Sequence, residues 1–228
     1  MTVCVFFPQL SIYRQPIQPV RCITIPPPHS SSRHLYVTTG MIWGGFRPSD
    51  DPQTHGFNVP ANMYAAVALK RLAALNDDVW KHPDIHTRAK AMADAIRHGI
   101  TTHGIVINKG QRVYAYEVDG FGTALAQFDD PNLPSLLSIP LLGYPFDLEV
   151  YQATRDMVLS GANQYFYASS NVSGLGSPHT PSGNVWPLGL MTDALTTHDP
   201  HQQASIIRTV RRDVFAGLYL QTPTCCSG

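Results

Sequence analysis

Gly40-Met-Ile-Trp-Gly-Gly-Phe-Arg-Pro-Ser-Asp-Asp51 divides this 228-residue chain into two unlike parts. Before it, Pro26-Pro27-Pro28 and Ser30-Ser31-Ser32 punctuate a stretch without a sustained period. Residues 1–40 therefore read as an irregular, disordered segment. After it, helix signals recur between long loops. The stretch itself is a loop rich in glycine and aromatic residues, and it ends in two adjacent carboxylates behind an arginine. Further acids follow on other loops, as Tyr114-Ala-Tyr-Glu-Val-Asp-Gly-Phe-Gly122 and Asp129-Asp-Pro-Asn132. Only 14% of the residues are charged, so acids gathered between hydrophobic segments point to a site.

The bulk composition narrows the function classes. With 43% hydrophobic residues the chain can bury one sizeable core. A formal net charge of zero gives no basic patch for nucleic acid or an anionic membrane surface. No apolar run approaches the roughly 18 residues of a membrane span. Residues Met1 to Tyr13 lack a basic start and a small-residue cleavage site, so no signal peptide is expected. The compartment stays open. Cys4, Cys22, Cys225 and Cys226 have no metal-ligand spacing. Of the ten histidines, His82 and His86 stand at i, i+4 with Pro83 between them, and no trio has zinc spacing. Asn171-Val-Ser173 fits a glycosylation sequon.

The helix signals run as follows. Pro60 suits the first turn of a helix to about Leu75, with Val59, Met63, Val67 and Leu72 near one face. Asp84 caps a second, ended near His98 by Gly99. A hairpin is expected where Lys109-Gly110 joins residues 104–108 to 111–116. Leu133 to Leu142 reads as a third helix, broken at Pro140. Asp147 caps a fourth to about Ser160, Val185 to Thr196 makes a fifth, and Pro200 to Phe215 a sixth. The expected class is all-α with one small β-hairpin, and the loops carry the unusual residues.

Five segments in order resemble glycoside hydrolase family 125, the exo-α-1,6-mannosidases. They are the 40–51 loop, Val59-Pro-Ala-Asn-Met63, the 114–122 segment, Asp129 to Pro140, and Gly174-Leu-Gly-Ser-Pro-His-Thr-Pro181 with Trp186-Pro187. The resemblance covers about residues 40–217 and implies that residues 41–217 form part of an (α/α)6 toroid of the six-hairpin glycosidase type. It also implies inverting, metal-independent hydrolysis without a cofactor, on a mannose-containing oligosaccharide. Residues 218–228 depart from the family as an aberrant tail. No glutamate follows Glu149, although the family's base belongs to a Met-His-Glu-Ser type segment. The chain is thus expected to be a fragment lacking the catalytic base. Six helices out of the twelve of a complete ring would leave apolar faces open to self-association.

An inverting glycosidase pairs an acid with a base that activates water from the opposite face, roughly 6.5–9.5 Å away. By resemblance the acid is Asp50 or Asp51. A neighbouring carboxylate would raise its pKa, and Arg47 would oppose that. Glu117 and Asp119, alternating on a strand from Tyr114 to Asp119, would share one face and bind sugar hydroxyls. Asp129, Asp130 and His179 are further candidates for hydroxyl contacts. Tyr116, Trp186 and Trp43 are candidates for stacking on a sugar face. A non-catalytic carbohydrate-binding module, or an interaction protein, is the rival reading.

Overall fold

The computed structural model of the chain describes residues 38–214, apart from 170, 171 and 179. Among them just under half of the residues are helical, and the strands form three small sheets. Strand β1 (Phe57–Asn58) runs directly into helix α1 (Val59–Leu75). Asn58 caps that helix, its Oδ1 accepting the Ala61 N–H at 2.9 Å. Pro60 stands in the first turn, where its missing N–H is no loss. Val59, Met63, Ala66 and Val67 form the buried stripe. Leu72, expected on that stripe, lies round the helix from it and is 37% exposed.

A π-helical turn, Asn76–Trp80, ends α1, and Lys81 then turns the chain in the left-handed conformation. Helix α2 (Pro83–His103) packs back along α1. It does not stop near His98 as expected. Gly99 lies inside it, because the glycine is needed for close approach rather than for termination. A Cβ there would lie 2.3 Å from the Thr39 carbonyl oxygen.

The expected hairpin is present as β2 (Ile105–Asn108) and β3 (Gln111–Tyr114). Lys109 and Gly110 both have positive φ, at 48° and 82°, as a tight hairpin turn requires. It is not the only sheet. Strand β4 (Glu117–Val118) pairs antiparallel with β1 and with β5 (Ala124–Leu125). Strands β6 (Phe166–Ala168) and β7 (Ser173–Leu175) form a third sheet. Ladders of two or three residues are too short for a period of two to declare itself.

The expected third helix is corrected most. Only α3 (Ile139–Leu142) is helical, and Pro140 sits harmlessly in its first turn. The preceding residues wrap around a buried carboxylate instead, as described below. Helix α4 (Leu148–Val158) is capped by Asp147, whose Oδ1 accepts the N–H groups of Glu149 and Val150. It packs on β3, and Thr154 Oγ1 accepts the Tyr114 N–H at 2.8 Å. Helices α5 (Pro187–Thr196) and α6 (Pro200–Val214) form a second hairpin.

The main core gathers Met63, Ile96, Ile100, Tyr116, Phe128, Tyr151 and Val158. A smaller cluster of Val172, Val185 and Leu190 receives Ile206 and Val210 from α6. No helix among the described residues is long and apolar enough to cross a membrane.

Candidate functional site

The 40–51 motif begins a closed loop that ends at Gly56. Asn62, one turn into α1, fixes its start. The Asn62 Oδ1 accepts the Ile42 N–H at 2.7 Å, and Nδ2 donates to the Ile42 carbonyl at 3.0 Å. The loop then closes on itself. Gly44 N–H donates to the Gly56 carbonyl, Gln53 N–H to Gly45, and Arg47 N–H to Asp51. The Gln53 side-chain amide donates to the Phe46 carbonyl at 2.8 Å.

Glu117 anchors the whole loop from below. Its carboxylate is fully buried on β4. One oxygen accepts the Arg47 Nε–H at 2.5 Å, and the other accepts the N–H groups of Thr54 and His55 at 2.8 and 2.9 Å. Desolvation works against the Arg47 charge, but the bond and the attraction from Glu117 outweigh it and raise its pKa. The guanidinium carbon stands 4.4 Å from the Phe128 ring centroid and 5.8 Å from that of Tyr116.

Asp50 and Asp51 emerge from this frame. Asp50 is exposed and takes the left-handed conformation (φ 66°), which an aspartate tolerates better than most residues. Asp51 is half-buried and its Oδ2 accepts the Ser49 hydroxyl at 3.0 Å. Burial raises the Tyr165 hydroxyl pKa, with Tyr167, Asp51 and Asp130 adding to the rise and Arg47 opposing it. Arg47, Asp51, Asp130 and Tyr165 thus share one electrostatic neighbourhood.

The structure places the other candidates differently from the sequence expectation. Glu117 and Asp119 do not line one exposed strand face, because β3 ends at Tyr114 and β4 is only two residues long. Glu117 spends both oxygens on the acid-bearing loop. Asp119 folds over the 119–123 turn, accepting N–H bonds from Phe121 and Thr123 at 2.7 and 2.9 Å. Slight desolvation pushes its carboxyl up, but those bonds prevail and hold it below the usual carboxylate range. Tyr116 is fully buried, its ring 4.7 Å from that of Phe128, so it backs the site rather than stacking on a ligand.

Asp129 and Asp130 are both fully buried. Asp129 accepts the N–H groups of Leu136 and Leu137, each at 2.9 Å, and so organises the segment where a third helix was expected. Asp130 accepts from Asn132 N–H at 2.8 Å and lies 3.4 Å from the Ser177 hydroxyl. Neither carboxylate is placed to meet a sugar. Trp186 is half-buried at the start of α5, its N–H bonded to the Leu175 carbonyl. His179 lies outside the described residues, as does Asn171 of the sequon. Among the described residues no cluster of three or more His, Cys, Asp or Glu could hold a metal ion.

Burial pushes the Asp129 carboxyl up to about 7, against the pull of the N–H groups of Leu137, Leu136 and Asp130. An acid whose folded pKa exceeds its unfolded value holds its proton more tightly in the fold. This group's stabilising contribution is therefore complete below about pH 4 and is lost as the pH rises towards 7. Carboxyl carbon-13 shifts should show Asp129 half-protonated near neutral pH. Midpoint titration near pH 4 would contradict this.

Sequence reasoning missed the frame. Phe128 beneath Arg47, the Thr54 and His55 amides, and Asn62 as the loop's tether carry no catalytic signature. Only the proximity of Val59-Pro-Ala-Asn-Met63 to the acid motif hinted at the last.

Comparison with known proteins gives the frame a lineage. A profile described as metal-independent alpha-mannosidase (GH125) matches residues 27–220. The meiotically up-regulated gene 157 protein of Schizosaccharomyces pombe is 41% identical over 189 residues, covering 82% of this chain and 36% of its own length. A Streptococcus pneumoniae protein of the metal-independent alpha mannosidases, in a non-productive substrate complex with alpha-1,6-mannobiose, superposes with a TM-score of 0.73. It shares 40% identity over 77% of this chain and 42% of its own. The chain thus spans about two fifths of the length of these relatives. Its helix-rich fold is consistent with an α/α toroid. From a profile match across most of its length, the chain belongs to glycoside hydrolase family 125, the metal-independent alpha-mannosidases.

Proposed function

We propose that this chain carries the acid side of an inverting, exo-acting α-1,6-mannosidase site, built on part of an (α/α)6 toroid and directed at mannose-containing glycans. One observation carries the reading: the Asp50-Asp51 loop is held as a preassembled unit on a buried glutamate. A group that must deliver a proton at a defined position needs such a frame. Asp51 is the acid. It is the more sheltered of the pair and the Ser49 hydroxyl holds its side chain, which gives it a defined position. Exposed Asp50 flanks it and adds negative charge.

The same geometry supports binding without turnover by these residues alone. Hydrolysis with inversion needs a second carboxylate to activate water. Glu117, Asp129 and Asp130 are fully buried and Asp119 closes its own turn, so the reading assigns the base to none of these four. The 228-residue chain is expected to bind α-1,6-mannobiose weakly and to release no mannose from it. Mannose release lost in Asp51→Asn but kept in Asp50→Asn would confirm the acid and overturn the expected inactivity. Absence of any binding would sink the reading itself.

A further inference from the structure

Trp43 is the one large aromatic side chain of the acid-bearing loop whose seat is defined at both ends. Its indole lies across the loop. A Cβ built on Gly56 would stand 1.9 Å from the Trp43 Nε1 and 2.2 Å from Cδ1. One built on Gly45 would stand 3.8 Å from Cη2, the far tip of the ring. The ring thus reaches from one glycine to the other, over backbone that carries no side chain to shield it. Yet Trp43 is 61% exposed. Beneath it runs the Gly44–Gly56 hydrogen bond at 2.9 Å, and Glu117 fixes Thr54 and His55 just before Gly56. The close approaches at Gly56 and Gly45 seat the ring on loop backbone while most of the residue stays open.

We propose that the exposed face of Trp43 is a stacking platform for a hexopyranose ring of the glycan, placed by the same loop that presents Asp50 and Asp51. The proposal rests on the function proposed above and names a contact within that site. The C–H face of a pyranose is apolar and its rim is polar, which matches an indole on a loop edged by carboxylates. Gly56 is then a specificity element at one remove. Any side chain there displaces the indole.

The test is a titration of the 228-residue chain with α-1,6-mannobiose, followed by nitrogen-15 spectra of its three indole N–H groups. The Trp43 resonance is assigned by its disappearance in Trp43→Phe. The expected results are a progressive shift of that resonance and a loss of about tenfold in affinity in Trp43→Ala. Trp43→Phe should retain most of the affinity, which separates loss of the platform from loss of the fold. Gly56→Ala should fall with Trp43→Ala. Unchanged affinity in Trp43→Ala, with a wild-type chain that binds, would overturn this inference alone. A wild-type chain that binds no mannobiose would overturn the proposed function and the platform with it.

Discussion

Replacing Glu117 with Ala should cost the fold about 3–5 kcal/mol and release the loop that carries Asp50 and Asp51. Three donors converge on this fully buried carboxylate, namely the Arg47 Nε–H and the N–H groups of Thr54 and His55. The side chain of Arg47 is only 9% exposed. Without its partner it becomes a buried charge beside Phe128, and two backbone N–H groups lose their acceptor. Glu117→Gln is expected to fall between the two, because an amide offers one acceptor oxygen where the loop uses two. Urea unfolding of the three proteins measures the ranking. A Glu117→Ala variant within about 1 kcal/mol of wild type would show that the loop holds itself. The same variant should lose mannobiose binding even at temperatures where the helices remain folded.

The second large effect concerns the join between α4 and α5. Arg155 donates to the Thr196 hydroxyl at 2.8 Å and to the Asp193 carboxylate. Both ionic side chains are nearly buried, 7% exposed for arginine and 10% for aspartate. Burial raises the Asp193 carboxyl despite the attraction of Arg155, so desolvation outweighs pairing. Removing one partner leaves an uncompensated charge between two helices, and Asp193→Ala or Arg155→Ala should each cost about 3–5 kcal/mol. Replacing both, as Arg155→Met with Asp193→Leu, should recover most of that loss, since apolar side chains of similar size avoid the desolvation penalty. A double-mutant cycle by urea unfolding reads the coupling directly. Additive losses in the double variant would contradict the argument.

Helix starts were legible because their signals are local. Pro60, Asp147, Pro187 and Pro200 each satisfy or remove orphan N–H groups within a few residues, whereas the expected Asp84 cap fails: α2 begins at Pro83 behind His82, which makes no side-chain cap, and Asp84 lies inside the first turn. The α2 end was misread because Gly99 answers to Thr39, sixty residues away in sequence. Residues 133–138 carry apolar spacing that reads as helix, but the Leu136 and Leu137 amides turn instead to Asp129. No local rule reveals that a carboxylate seven residues upstream will claim them.

By itself the sequence determined the family, the order of the loops and the place of the acid pair, because these rest on residue identities at short spacing. Tertiary structure decided which of six candidate acids face outward. A carboxylate reads alike in sequence whether it meets a sugar or anchors a loop. The difference lies in whether buried backbone N–H groups, brought from elsewhere in the chain, reach it first. At Glu117, Asp129 and Asp130 they do, Asp119 is taken up by the N–H groups of its own turn, and Asp50 and Asp51 stand on the loop that Glu117 holds in place.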